Sequence, residues 1–100
     1  MHGTRHTLLF FSSVRSGPSR RMESLLAHIA RKERHRLRIV QVDVDERREM
    51  AERLGVAVAP TLVLVRDRRQ VARIEGRASA PRIEQMLAKH LEPEAAPAAA

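Results

Sequence analysis

Two serines three positions apart, Ser16 and Ser19, are the side chains of this sequence best placed for polar chemistry, and Gly17 and Pro18 separate them. The run follows an apolar stretch and precedes a helical pattern, so we expect it at a helix N-terminus, where free N–H groups carry partial positive charge. A purely structural interpretation is open, because Ser16 can cap the helix and Pro18 can begin its first turn. A site for a carboxylate, a phosphate or an acidic peptide is the alternative. The flanking arginines that would support it are Arg15, Arg20 and Arg21.

A second candidate site lies in the loop before the apolar run that begins at Thr61. Ala59 precedes Pro60 there, and its small side chain leaves the backbone open to an extended peptide, as in β-augmentation. Its structural alternative is that Pro60 only positions the strand that follows. Gly76 and Arg77 form a third break, between the last strand pattern and the last helix.

The remaining polar residues do not form a catalytic or metal-binding set. The chain has no cysteine, which excludes disulfides, thiolate zinc sites, iron–sulfur clusters and thiol chemistry. His28 and His35 lie two helical turns apart, too far to share a metal. Asp43 and Asp45 are typical of a strand end followed by a helix cap. No Ser-His-acid set and no glycine-rich phosphate loop is visible, so we expect no catalytic residue, no metal and no cofactor.

Length and charge narrow the possible partners. The chain has 100 residues, enough for one domain, and 19 basic against 12 acidic residues give a net charge of +7. Acidic residues are interspersed with the arginines, and two Phe without Tyr or Trp offer few stacking platforms, so nucleic acid is an unlikely partner. No apolar run approaches the ~18 residues of a membrane span. Since no signal peptide is readable, a cytoplasmic location is expected.

The apolar pattern predicts four strands and three helices. Strands are expected at 7–11, 37–44, 61–65 and 71–74, and helices from Pro18 to near Arg36, from the cap Asp45 to Leu54, and from the cap Ser79 to Leu91. Gly55 is expected to end the second helix in a left-handed conformation. The charged turn at 66–70 lacks the Gly or Asn that a tight hairpin prefers.

This order predicts the fold class. The first two strands, joined by a helix, should be parallel, and the last two, joined by a short turn, should be antiparallel. An α/β domain with a mixed four-stranded sheet and helices on both faces is therefore expected over 7–91. Residues 1–6 are expected to form a flexible N-terminus, and the Ala/Pro/Glu-rich segment 92–100 a disordered tail.

The element order and the three breaks together resemble the thioredoxin family, in its minimal β-α-β-α-β-β-α form, from Thr7 to Leu91. In that family the first break is Cys-Gly-Pro-Cys, which corresponds to Ser16-Gly17-Pro18-Ser19. The second is a cis-proline loop whose preceding residue binds extended peptides, and the third is a glycine near the active surface. The resemblance therefore implies a cis bond between Ala59 and Pro60.

The departures from the family pattern concern its chemistry. Serines replace both cysteines at Ser16 and Ser19, and a hydroxyl there cannot form a disulfide. Phe10 stands where the family has a buried acid, and Gln41 where it has the partner lysine. Two tryptophan positions are taken by Arg15 and Ser12. The resemblance thus implies a thioredoxin-like domain without thiol redox activity.

We therefore predict a non-catalytic module that binds an extended peptide or protein segment, including acidic ones. Ala59 would contribute backbone hydrogen bonds, Pro60 would shape the groove, and nearby arginines would attract acidic partners. The residues expected to bind are Arg15, Ser16, Ser19, Arg20, Ala59, Pro60, Thr61, Gly76 and Arg77. The main alternative is a thiol–disulfide oxidoreductase whose cysteines were replaced by serine or lost in this member. Two further alternatives are a glutathione-transferase-like fold, in which a serine hydroxyl donates to a bound thiolate, and a nucleic-acid binder.

Overall fold

Four strands and three helices follow one another in the order that the apolar pattern predicts. The computed structural model describes residues 5–91; the expected tail at 92–100 and most of the expected flexible N-terminus lie outside this range. The elements are β1 (His6–Ser12), α1 (Gly17–Lys32), β2 (Leu37–Asp43), α2 (Arg48–Arg53), β3 (Thr61–Arg66), β4 (Arg69–Glu75) and α3 (Ala80–His90).

The strands form one mixed sheet in the order β2-β1-β3-β4. β1 pairs in parallel with β2 and antiparallel with β3, and β3 pairs antiparallel with β4. This confirms the predicted α/β architecture. β1 begins at His6, one residue earlier than expected, and the His6 side chain is buried. The expected flexible N-terminus therefore does not include His6, because its N–H is bonded to Arg36 O, 3.1 Å away, next to the first pair of the ladder.

Both faces of the sheet are covered, which explains the continuous apolar run of β1. Leu8 and Phe10 belong to one cluster, which α1 and α3 complete with side chains such as Ile29 and Ile83. Phe11 belongs to a second cluster on the opposite face. The other buried members of that cluster are Val42, Ala51 and Val63. Because side chains alternate along a strand, neighbouring residues of β1 serve both clusters.

The helix ends depart from the predicted bounds at two places. α1 ends at Lys32 rather than near Arg36, because residues 33–36 form a turn in which the Arg36 guanidinium lies 2.7 Å from the Glu33 carboxylate. α2 begins at Arg48, and Asp45 is not its cap. Instead the Asp43 carboxylate accepts the N–H groups of Asp45 and Glu46, at 2.8 and 3.3 Å, so that a turn separates β2 from α2.

The turn between β3 and β4 is tighter than the sequence suggests. Asp67 and Arg68 have φ angles of 55° and 68°, as a two-residue hairpin requires at both central positions. Aspartate tolerates this conformation, so the steric penalty falls mainly on Arg68. The strands therefore extend one or two residues further into the turn than expected. None of the helices in the described range is long and apolar enough to cross a membrane.

Replacing Arg68 by glycine should stabilise the domain. The left-handed penalty of a non-glycine residue, roughly 1–2 kcal/mol, exceeds the cost of added freedom in the unfolded chain, so we expect a gain of about 0.5–1 kcal/mol. Urea denaturation followed by circular dichroism measures it. Arg69→Gly is the matched control, and it should destabilise because Arg69, the first residue of β4, is paired with Arg66 and gains no relief of a left-handed conformation. An Arg68→Gly variant no more stable than the parent would show that the hairpin carries no such penalty.

Candidate functional site

Ser16 lies at the centre of the candidate site and makes two contacts through one hydroxyl. Its oxygen caps α1 by accepting the N–H of Ser19 at 3.1 Å. The same hydroxyl donates to the carbonyl oxygen of Ala59 at 3.4 Å. The structural interpretation of Ser16 as a helix cap is thus confirmed. The hydroxyl additionally joins the first motif to the loop before β3.

The third motif meets the second through the backbone. The N–H of Gly76 donates to the carbonyl oxygen of Pro60 at 2.8 Å, and Gly76 has a φ of 81°. The bond between Ala59 and Pro60 is cis, the conformation that the family resemblance implies. Three segments that are distant in sequence therefore meet at one end of the central strands β1 and β3.

Three of the residues expected to bind a partner are buried and support the site from within. Ser19 is fully buried, and its hydroxyl accepts the N–H of Ser13 at 3.3 Å. Thr61 is also fully buried and donates its hydroxyl to Val58 O at 2.7 Å. Pro60 is buried as well. These three side chains are therefore buried in this structure, and their expected contact with a partner stays a prediction.

The site contains no group that could activate the Ser16 hydroxyl. Its partners among the described residues are a backbone N–H and a backbone carbonyl, and neither is a general base. Phe10 is 2% exposed and packs in the core. Gln41 donates its amide to the Ser12 hydroxyl at 3.0 Å and to the Glu23 carboxylate at 3.1 Å. The geometry thus offers hydrogen bonds for binding and no nucleophile.

Two exposed valines lie close in sequence to Ser16 and Ala59, and neither is predicted from the sequence as a site residue. Val14, two residues before Ser16, is 70% exposed, and Val58, directly before Ala59, is 49% exposed. Their position in loops next to the candidate motifs is the sequence signal that could have identified them.

A groove lined by aliphatic and charged residues adjoins Ala59 on the α2 side. It has a volume of about 230 Å³ and is lined by Val44, Arg48, Ala51, Glu52, Val56, Ala57, Val58 and Ala59. Most of this lining is aliphatic, and the charged Arg48 and Glu52 belong to α2. The volume suits one or two aliphatic side chains and is below the usual size of small-molecule sites, about 300–1,000 Å³.

The arginines expected to attract an acidic partner lie in different surroundings. Arg15 and Arg77 are exposed, and their side chains make no hydrogen bond or ion pair to any residue in 5–91. Arg20 lines another cavity, of about 360 Å³, together with Val14, Glu23, Asp43 and Glu46. Arg21 lies nearer the first motif, since a Cβ on Gly17 would lie 3.5 Å from its guanidinium. Between residues 5 and 91, no three His, Asp or Glu side chains are grouped to hold a metal.

The fold and the three joined loops define a thioredoxin-fold domain that has no thiol. A family model described as Thioredoxin matches residues 2–89. The chain is 34% identical over 82 residues to Thioredoxin-1 of Drosophila melanogaster, covering 82% of this chain and 76% of the fly protein. It is also 34% identical over 83 residues to Thioredoxin H-type 1 of Nicotiana tabacum, covering 83% of this chain and 64% of the tobacco protein.

Solved structures agree with the sequence comparisons. The germline-specific thioredoxin Deadhead of Drosophila melanogaster matches with a TM-score of 0.82 at 32% identity, over 87% of this chain and 82% of that one. Thioredoxin NaTrxh of Nicotiana alata also matches with a TM-score of 0.82, at 27% identity, over 90% of this chain and 76% of that one. The chain belongs to the thioredoxin family.

The two contacts of Ser16 can be separated by comparison with the second capping serine. Ser16→Ala and Ser79→Ala each remove a side-chain cap, so each should lower the free energy of unfolding by about 1 kcal/mol. Only Ser16→Ala should also shift the NMR signals of Val58 and Ala59, because Ser79 does not contact that loop. Equal shifts in both variants, or none in Ser16→Ala, would contradict the link to Ala59.

Proposed function

We propose that this domain binds an extended segment of a partner protein at the surface formed by Val14, Ser16, Val58, Ala59 and Gly76. The observation that carries the proposal is the Ser16–Ala59 contact, which has an exposed valine close in sequence to each partner and no activating base among the described residues. Such a surface offers backbone hydrogen bonds and apolar area, the two contributions that extended-peptide recognition uses. We also propose that the protein is located in the cytoplasm.

The backbone at Ala59 supports the proposal. Among the described residues, its carbonyl oxygen accepts only the Ser16 hydroxyl, at the long distance of 3.4 Å. Its N–H has no acceptor among residues 5–91. The N–H is therefore available to donate to the carbonyl oxygen of an incoming extended peptide.

The groove and the arginines suggest the class of segment. An aliphatic side chain next to the peptide backbone would fill the groove beside Val44 and Ala51. Arg15 and Arg77 have no acidic partner in the described part of the chain, so acidic residues on the segment would gain from them. The segment expected to bind therefore combines an aliphatic residue with carboxylates.

Selection from a random ten-residue peptide library on phage should enrich peptides of this class. Val58→Asp is the matched control, because it places a carboxylate in the apolar part of the surface and leaves the buried core unchanged. We expect enriched peptides to shift the NMR signals of Ser16, Val58, Ala59 and Gly76, and to bind Val58→Asp at least tenfold more weakly.

The affinity of the enriched peptides should fall with salt, since exposed charges are screened within about 8 Å at physiological ionic strength. Arg15→Gln combined with Arg77→Gln should reduce that dependence. Peptides that bind Val58→Asp as well as the parent, or that map to another face, would contradict the proposed site. Salt-independent binding would contradict only the contribution of the arginines to affinity.

A thiol–disulfide oxidoreductase remains the second candidate function, with cysteines in place of Ser16 and Ser19. Family membership and the geometry of the two serines support it, because Ser16 caps α1 and Ser19 lies in the first turn. A thiol at a helix N-terminus has a lowered pKa and is a better nucleophile at neutral pH. The hydroxyls of the present chain cannot replace it.

Reduction of insulin with dithiothreitol as electron source separates the two functions. The chain as it stands should show no turnover above the uncatalysed rate, since it has no sulfur that can form a mixed disulfide. Ser16→Cys combined with Ser19→Cys should restore measurable turnover, and Ser19→Cys alone is the control for a lone thiol. Turnover by the unmodified chain would contradict the non-catalytic proposal.

A further inference from the structure

The loop from Leu54 to Pro60, here called the α2–β3 loop, carries Val58 and Ala59 and has few backbone hydrogen bonds of its own. Its first residues close the end of α2: Gly55 N–H donates to Glu52 O at 3.0 Å, and Val56 N–H donates to Ala51 O at 2.8 Å. This pattern with a left-handed Gly55 is a Schellman motif. It leaves the carbonyl groups of Leu54 and Gly55 without backbone donors.

The side chain of Arg73 satisfies both of these carbonyl groups. One terminal nitrogen donates to Leu54 O, and the other lies 3.2 Å from Gly55 O. Arg73 lies on β4 opposite Val63 of β3, so its side chain spans from the sheet to the end of α2. A guanidinium also interacts favourably with the partial negative charge of a helix C-terminus.

Neighbouring side chains hold the guanidinium in place. Glu75 Oε2 lies 3.3 Å from one terminal nitrogen, and Gln70 Oε1 lies 3.2 Å from the other. The Nε of Arg73 is buried and has no partner in the described structure. Of the four printed hydrogen bonds of this guanidinium, two end on side chains of β4 and two end on the first residues of the α2–β3 loop.

We propose that Arg73 is the positioning residue that fixes the α2–β3 loop and thereby presents Val58 and Ala59. Three side chains then hold this loop: Arg73 at its first residues, Thr61 at Val58 O and Ser16 at Ala59 O. The proposal that Arg73 anchors the loop depends on these contacts alone. The proposal that this anchoring strengthens peptide binding rests on the peptide-binding function proposed above.

Arg73→Met tests the anchoring by amide hydrogen exchange. Methionine fills similar space without donors, so the amides of Gly55 and Val56 should exchange at least tenfold faster, whereas amides of the central strand β1 should keep their rates within about twofold. Arg69→Met is the matched control, because Arg69 is an exposed arginine of the same strand without described side-chain contacts. Should Arg73→Met fail to fold, Arg73→Lys replaces it, and a single ammonium should give at least threefold faster exchange at the same amides.

The outcomes separate the anchoring from the binding function. Unchanged exchange at Gly55 and Val56, or an equal increase in all amides, would overturn the positioning role whatever the peptide result. Faster local exchange with at least fivefold weaker binding of the phage-selected peptide would support it fully. Faster local exchange with unchanged peptide affinity would overturn the presentation of Val58 and Ala59. If the parent chain binds no peptide, the proposed function fails, and faster local exchange would still support the anchoring by Arg73.

Discussion

The hydroxyl of Ser16 connects the start of α1 to the loop before β3, and the candidate site is built around that connection. A hydroxyl has one proton and two lone pairs, so it can accept from Ser19 N–H and donate to Ala59 O at the same time. Because β1 and β3 are adjacent and antiparallel, the last residues of β1 and the first residues of β3 lie at the same end of the sheet. The hydroxyl bridges the short gap that this topology leaves.

Phe10 and Gln41 both replace charged residues of the family pattern. Phe10 adds apolar volume to the core where the family has an acid, and the Gln41 amide donates to the Ser12 hydroxyl and the Glu23 carboxylate. Thiol exchange needs a thiolate nucleophile, and the chain has no cysteine. The changes leave the backbone architecture intact, because capping by Ser16 and packing by Phe10 meet the same geometric needs.

Several features could be predicted from the sequence because they depend on local patterns. Continuous apolar runs indicated strands covered on both faces, Ser16 and Ser79 indicated helix caps, and Gly55 indicated a left-handed helix end. The errors have local causes as well. Asp45 had the residue type of a cap, but the Asp43 carboxylate took the neighbouring N–H groups and delayed α2.

The order of the elements, the lack of a thiol and the three motifs of the site all follow from the amino-acid sequence. Which residues near these motifs reach the surface depends on the packing of the elements, since Ser19 and Thr61 are buried and Val14 and Val58 are exposed. This packing also decided that Arg73 reaches the end of α2, a contact between residues nineteen positions apart. Periodicity reports which face a residue occupies, whereas such contacts depend on how separate elements pack against one another.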